Sequence, residues 1–406
     1  MSLGKLHTHP LYATRTEFLG TDERITLVYQ KAQLILQTWS NFIKSPIIQV
    51  AHNFDLDLTL NDIGRCTPRF WEQQSDPIFT LDPAVSSILA CNVNLFLGTL
   101  APLVKRRPYL QPIVEKALKG DIFGNFLLSE LGHGLDIMSL ETTATKSDGG
   151  FILHTPNSEA AKWAFYTLPH FHKLMSRRFM SPTTPIAGVP KFAIVLAKVM
   201  VHGEERGIHP FLIQTSDEHG MCQGISSTRL PPRNGGSPVD YALTVFHNVH
   251  IPDTAFLGSS LELPENWQLL LQSYLWRIPI GTALLSVYVS HAAKFVACIG
   301  ADYSFRRHVQ GRGSERIPII SFRTQQIPVL CATAVAYVLS AWRPRFVEYI
   351  LSDDEDPRSR YGLSVVFKST VNRLVAMVSR DIGERLGAQG LFGYNVVSQM
   401  EVSIMF

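Results

Sequence analysis

Charge and cysteine are both scarce in this chain. Charged residues make up 17% of its 406 positions, and 37 lysines and arginines stand against 34 aspartates and glutamates. So mild a balance argues against a nucleic-acid partner, which calls for a clustered basic face. The five cysteines, Cys66, Cys91, Cys222, Cys298 and Cys331, are odd in number, far apart and never spaced Cys-x-x-Cys. That excludes a disulfide framework and gives no zinc-type spacing, so no metal is expected and the thiols read as free in a reducing intracellular compartment. The opening residues, MSLGKLHTHPLY, hold no apolar signal core. The longest apolar run, near Val329–Ala341, is too short to span a bilayer and reads as a buried helix. No internal repeat or low-complexity tract is present, and the closing S-I-M-F is no S-K-L-type address.

Apolar residues are abundant, at 46%, enough for large cores, and the length suits two to three domains. Residues 1–122 read as helical. Glu23–Ile43 puts Ile25, Val28, Ala32, Ile35 and Trp39 on one face. Val85–Leu100 and Leu103–Leu118 continue the pattern, with Pro102 and Pro108 as punctuation. Residues 123–262 change character. Short β-rich runs at Phe151–His154, Phe192–Val201, Phe211–Gln214 and Tyr241–Val249 are separated by turn residues, which predicts a barrel or sandwich. Residues 263–406 return to long apolar helices, Trp267–Ala301, Ile319–Tyr349 and Leu363–Leu386, as in a helical bundle. The expected class is α+β, in the order helices, strands, helices.

One stretch concentrates polar chemistry. Ser129–Thr145, S-E-L-G-H-G-L-D-I-M-S-L-E-T-T-A-T, spends too many polar groups in a row for a core element. Gly132 and Gly134 let backbone amides approach a ligand closely. Ser129 offers a donor and acceptors to a planar heterocycle. The stretch resembles the S/T-E-L-G-H-G … L-E-T-T-A-T signature of the acyl-CoA oxidases, flavin enzymes of the acyl-CoA dehydrogenase superfamily, whose three-part architecture has the same order of helices and strands.

The resemblance implies FAD, held between the middle domain and the bundle. Ser129 would bond the flavin pyrimidine edge, with Leu131–Gly134 supplying amides nearby; His133 receives no acid–base role. Tyr303–Arg307 (YSFRR) with Phe322–Gln326 (FRTQQ) is similar to a second cofactor signature. There Arg307, with Arg306 next, would reach the FAD pyrophosphate across a homodimer interface, and Gln326 would lie at the adenine–ribose end. A guanidinium suits that task because its planar fork offers paired donors. Leu386–Tyr394 resembles the G-G-x-G-Y loop, matching at Gly390, Gly393 and Tyr394. Glu204–Gly207 resembles a turn before a strand of the middle domain, and Tyr241–Pro252 its last strand. Pro182–Gly258 has a fungal-type style.

Two departures qualify the match. Ala164–Phe179 stands as an extra sixteen residues between Trp163 and the apolar strand at Phe192. The chain also stops twelve residues after Tyr394, before the E-G element that supplies the family's glutamate base; Glu401 is the one acid in that tail and does not match the motif. The bundle is therefore expected to be incomplete. The implied reaction is α,β-dehydrogenation of an acyl-CoA, with molecular oxygen as the acceptor favoured by ELGHG and LETTAT. Its setting would be β-oxidation or the tailoring of fatty-acyl or polyketide intermediates, in peroxisome or cytoplasm. The alternative is a catalytically impaired relative without the base, acting as an acyl-CoA-binding or partner subunit.

Overall fold

The apolar face of Glu23–Ile43 becomes helix α1 (Thr21–Asn41), with Ile25, Val28, Ala32, Ile35 and Trp39 all buried. The computed structural model describes residues 3–41, 58–134, 136–162, 182–232, 235–352 and 356–405. Ala164–Phe179, the expected insertion, lies outside them. Behind α1 pack α2 (Leu60–Arg65), α3 (Pro68–Gln74) and α4 (Pro83–Leu89). The helix then widens into a π-helical stretch, Ala90–Leu97, before α5 (Gly98–Val104) and α6 (Gln111–Lys119). All eight residues of the π-helical stretch are buried. Pro102, expected to punctuate, sits inside α5. Gly120 ends α6 in the left-handed conformation that a helix C-cap favours.

The middle region is built on β1 (Phe123–Leu127), β2 (Thr143–Ser147), β3 (Gly150–His154), β4 (Lys191–Val201), β5 (Glu204–Ser216), β6 (Ile225–Arg229), β7 (Ala242–Phe246) and β8 (Val249–Pro252). Six of these form one sheet. β4 is long enough to take β1 and then β2 along one edge, both parallel, and β5 antiparallel along the other. β3 and β8 extend the sheet beyond β2. β6 and β7 form a separate ribbon, joined to the sheet side by bridges from Lys162 to both Glu130 and Thr244. Inside lies a core that includes Ala144, Phe151, Leu153, Val195, Phe211 and Phe246.

Three expected boundaries shift. Tyr241–Pro252, expected as one last strand, is two, β7 paired with β6 and β8 paired with β3, with Asn248 at φ 49° between them. Glu204–Gly207 is not a turn but the start of β5. The turn is His202–Gly203, with φ of 52° and 83°, as a two-residue hairpin of the primed kind requires. Strand pairing in the L-E-T-T-A-T segment begins only at Thr143. The β2–β3 turn falls where Ser147–Gly150 predicts it, with Gly149 at φ 77°.

The last third holds α7 (Trp267–Tyr274), α8 (Arg277–Arg306), α9 (Arg323–Leu351), α10 (Pro357–Arg385) and α11 (Val396–Met405). A small hairpin of β9 (His308–Gln310) and β10 (Arg316–Pro318) joins α8 to α9. Among the described residues, three helical stretches are long and apolar enough to cross a membrane: Pro83–Val104, Trp267–Arg306 and Arg323–Leu351. The run Val329–Ala341 thus belongs to a helix longer than its own apolar span suggested, and that helix is not buried. Only 22% of its apolar window is inside, against 72% and 67% for the other two. Val329, Ala332, Ala336 and Leu339 face inward, while Leu330, Tyr337 and Val338 lie exposed.

A buried ionic knot ties α1 to the sheet. Asp240 accepts from Tyr29 Oη at 2.8 Å and from Lys191 Nζ at 2.6 Å, and Thr184 donates to it through both its amide and its hydroxyl. Lys191 and Asp240 are fully buried. The two charges are paired and the carboxylate is further hydrogen-bonded, as burial of such charges demands. All five cysteines are free.

Candidate functional site

Ser129 sits two residues beyond the end of β1 and is nearly buried, 8% exposed. β1 arrives there because its parallel pairing with β4 carries it through the sheet from Phe123 opposite Lys191 to Leu127 opposite Val195. The next residue, Glu130, is the anchor of the segment. Its carboxylate accepts from the Glu141 amide at 2.7 Å, the Thr142 amide at 2.9 Å and Lys162 Nζ at 2.9 Å. Lys162 and Glu130 side chains are both 0% exposed. Burial pushes the Glu130 carboxyl up, but the Lys162 ammonium and the hydrogen bonds from Thr142 and Glu141 outweigh it and hold the group below the ordinary range. So Glu130 folds the E-L-G-H-G turn back onto the L-E-T-T-A-T segment.

The structure gives the glycines another use. The amides of Leu131 and Gly132 donate to the carbonyls of Ala161 and Glu159, at 3.0 and 2.8 Å. Gly132 is short of space, since a Cβ there would lie 2.8 Å from Glu159 Cβ. His133 bonds Glu141 at 2.5 Å, and Asn157 donates to the same carboxylate. His133 and Asn157 together hold the Glu141 carboxyl below its usual value. Ser129 and Gly134 also have partners within the fold.

The second signature converges elsewhere, at the far end of α8. A hollow of about 550 Å³ is lined by Cys298, Ile299, Asp302, Tyr303, Arg306, Leu386, Gln389 and Asn395. It brings the YSFRR end of α8 against the LGAQGLFGY loop, two motifs more than eighty positions apart. Arg306 is ion-paired with Asp302 at 2.8 Å on the exposed surface. Arg307 caps α8; its amide donates to Tyr303 and its carbonyl accepts from Ile319. Gln326 is exposed on α9, while its neighbour Gln325 is buried and donates to Ser304 and to the Arg385 carbonyl. Gly390 serves packing, since a Cβ would come within 2.2 Å of the Gly383 carbonyl. Glu401 on α11 is paired with Arg380 of α10 at 3.1 Å. Among the described residues no cluster of histidine, cysteine and acids could hold a metal ion.

Sequence reasoning missed Lys162, Lys191 and Asp240. A lysine and an acid far apart in sequence carry no local sign that they meet in a core.

No family model matches the chain. It is 24% identical over 371 residues to the acyl-coenzyme A oxidase of Eremothecium gossypii, which covers 83% of this chain and 47% of that protein. The chain spans about half the length of the curated relatives it matches. Among solved structures, glutaryl-CoA dehydrogenase from Mycobacterium smegmatis superposes with a TM-score of 0.66 at 15% identity, over 100% of this chain and 90% of that one. Acyl-CoA oxidase-1 of Caenorhabditis elegans, complexed with FAD and ATP, superposes with a TM-score of 0.62 at 18% identity, over 99% of this chain and 56% of that one.

Proposed function

We propose that this chain, a member of the acyl-CoA oxidase and dehydrogenase superfamily, binds FAD and introduces an α,β double bond into a fatty acyl-CoA. The observation that carries the flavin reading is the hollow at the end of α8. Arg306, Tyr303, Gln389 and Asn395 line it beside Asp302, the carboxylate paired with Arg306, and the guanidinium and the neutral groups are donors of the kind a dinucleotide's pyrophosphate and ribose take. Its volume lies in the range of small-ligand sites.

Bound FAD supplies the acceptor for the β-hydride. The remaining work falls to the chain. Ser129 would hold the flavin pyrimidine edge, fixed in place by the Glu130 anchor beside it. Arg306 and Arg307 would hold the pyrophosphate. As the family resemblance implies, the proposed arrangement is a homodimer in which each flavin draws on both copies. Oxygen is the electron acceptor implied by the E-L-G-H-G and L-E-T-T-A-T segments.

A second reading is binding without turnover, and one observation favours it. Glu401, the one acid after Tyr394, is engaged by Arg380 and is not assigned to α-proton removal. Adding a fatty acyl-CoA to the purified, FAD-loaded chain under anaerobic conditions separates the two. Bleaching of the flavin absorbance, followed by hydrogen peroxide on admission of air, is the expected result. A yellow protein that never bleaches supports the second reading, and a chain that takes up no FAD overturns the flavoenzyme reading.

A further inference from the structure

Arg277 opens α8, is 1% exposed, and has no carboxylate among its hydrogen-bond partners. Its Nε donates to the Asn94 carbonyl at 2.8 Å. Its Nη1 donates to the Ile63 carbonyl and reaches Cys66 Sγ, each at 2.9 Å. Nη2 has no partner. The rings of Trp276 and Phe70 lie 4.6 and 5.2 Å from the guanidinium carbon. A buried cation met by two carbonyls and a thiol, with no carboxylate, is unusual, and the identity of those carbonyls explains it. Ile63 is in the last turn of α2, where carbonyls run out of helical donors. Asn94 lies inside the π-helical stretch, a local departure from the α-helical ladder that often marks a functional position.

The contact is reciprocal, since Asn94 Nδ2 donates back to the Arg277 carbonyl at 3.1 Å. Two residues earlier, Asn92 is 0% exposed and does a parallel task. Its Nδ2 donates to the Ala117 carbonyl at 3.0 Å, and its Oδ1 accepts the amide of Gly124 at 2.8 Å. Gly124 is the second residue of β1, the strand that leads to Ser129. Phe96 of the same π-helical stretch packs against it: a Cβ at Gly124 would be 1.9 Å from the ring. One short stretch therefore touches the bundle through Arg277, the N-terminal helices through Ala117, and the sheet through Gly124.

We propose that Arg277 is a positioning residue for the cofactor-facing segment. By holding the π-helical stretch at Asn94 it sets Asn92 and Phe96 against Gly124. That fixes where β1 starts and so where Ser129 is delivered. Its effect on the flavin rests on the proposed role of Ser129, but the mechanical link does not.

The test uses four variants. Arg277→Met removes the clamp. Gly98→Ala displaces it with the charge kept, because the new Cβ would lie 2.2 Å from Arg277 Nε. Asn92→Ala breaks the link to Gly124 directly, and Arg277→Lys keeps the charge without the fork, as the mildest change should the others fold poorly. Hydrogen exchange followed by mass spectrometry is read on a peptide covering Phe123–Leu127 and, as control, on one covering the β4–β5 turn. The expected result is exchange raised roughly tenfold at Gly124–Leu127 with the control unchanged, in all variants and least in Arg277→Lys. FAD binding should weaken about tenfold, and the bound-flavin absorption band should shift. Unchanged exchange in β1, or exchange raised equally everywhere, overturns the proposal. A wild-type chain that takes up no FAD counts against the flavin reading alone, because exchange still reports the link.

Discussion

Glu130 and Lys162 show how much one pair can decide. Both side chains are wholly out of water, and Glu130 gathers Lys162 and the amides of Glu141 and Thr142 around one carboxylate. Removing a single partner leaves a charge in the interior, which costs about 3–5 kcal/mol, whereas neutralising both costs less. Lys162→Met is therefore expected to lower the urea-unfolding free energy by about that amount, and the Glu130→Gln/Lys162→Met double variant by less. A double variant as weak as the single one would show that the pair is not coupled. The same pair sets an acid limit. The Glu130 carboxyl is held below its ordinary value in the folded chain. Its contribution is complete above the unfolded carboxyl's pKa of about 4.3 and is lost as pH falls through the folded value. Stability measured against pH should thus fall less steeply below about pH 4.3 in Glu130→Gln than in the wild type. Ser129 and the E-L-G-H-G string were legible because they are contiguous. Lys162, thirty-two positions on, was not, because no local pattern says which lysine will be buried.

Elements follow their periodicity where the pattern is local, and α1 buries the face its spacing promises. The β4–β5 hairpin shows where residue type misleads. Glu204-Glu205-Arg206-Gly207 looks polar enough for a turn, yet those residues form the exposed beginning of a thirteen-residue strand. The chain reverses at His202–Gly203 because both adopt positive φ, a backbone property that histidine does not advertise. Asparagine enters that region more readily than histidine. His202→Asn is expected to raise stability by about 0.5 kcal/mol, and Gly203→Val to lower it by about 1–2 kcal/mol. Thermal unfolding checks both; a Gly203→Val variant as stable as the wild type would mean the turn relaxes into another form. Helix α9 is the opposite case. Its apolar run was plain in the sequence, but an apolar residue does not say on which side of a helix its partner lies. Leu330, Tyr337 and Val338 remain exposed while Val329 and Leu339 are inside.

At the scale of the whole molecule, the order helices, strands, helices was legible because each third has its own period. The contacts that join the thirds were not. Asn94 and Arg277 are 183 positions apart, Tyr29 and Asp240 are 211, and no spacing rule reaches so far. The same separation bears on the proposed dimer. Ser129 is delivered by the sheet, whereas Tyr303, Arg306 and Gln389 are gathered at the end of α8. If each flavin draws Ser129 from one copy and the arginines from the other, two damaged chains can repair each other. A Ser129→Val chain and an Arg306→Met/Arg307→Met chain should each bind FAD poorly alone. In a dimer of one with the other, one site inherits both defects and the second inherits neither. Random re-association after mild dissociation should then restore about one quarter of the sites, since half the dimers are mixed and each holds one intact site. Titration at an FAD concentration that leaves either variant nearly empty reads this directly. No recovery on mixing, with mixed dimers confirmed by mass, would place both halves of the site within a single chain.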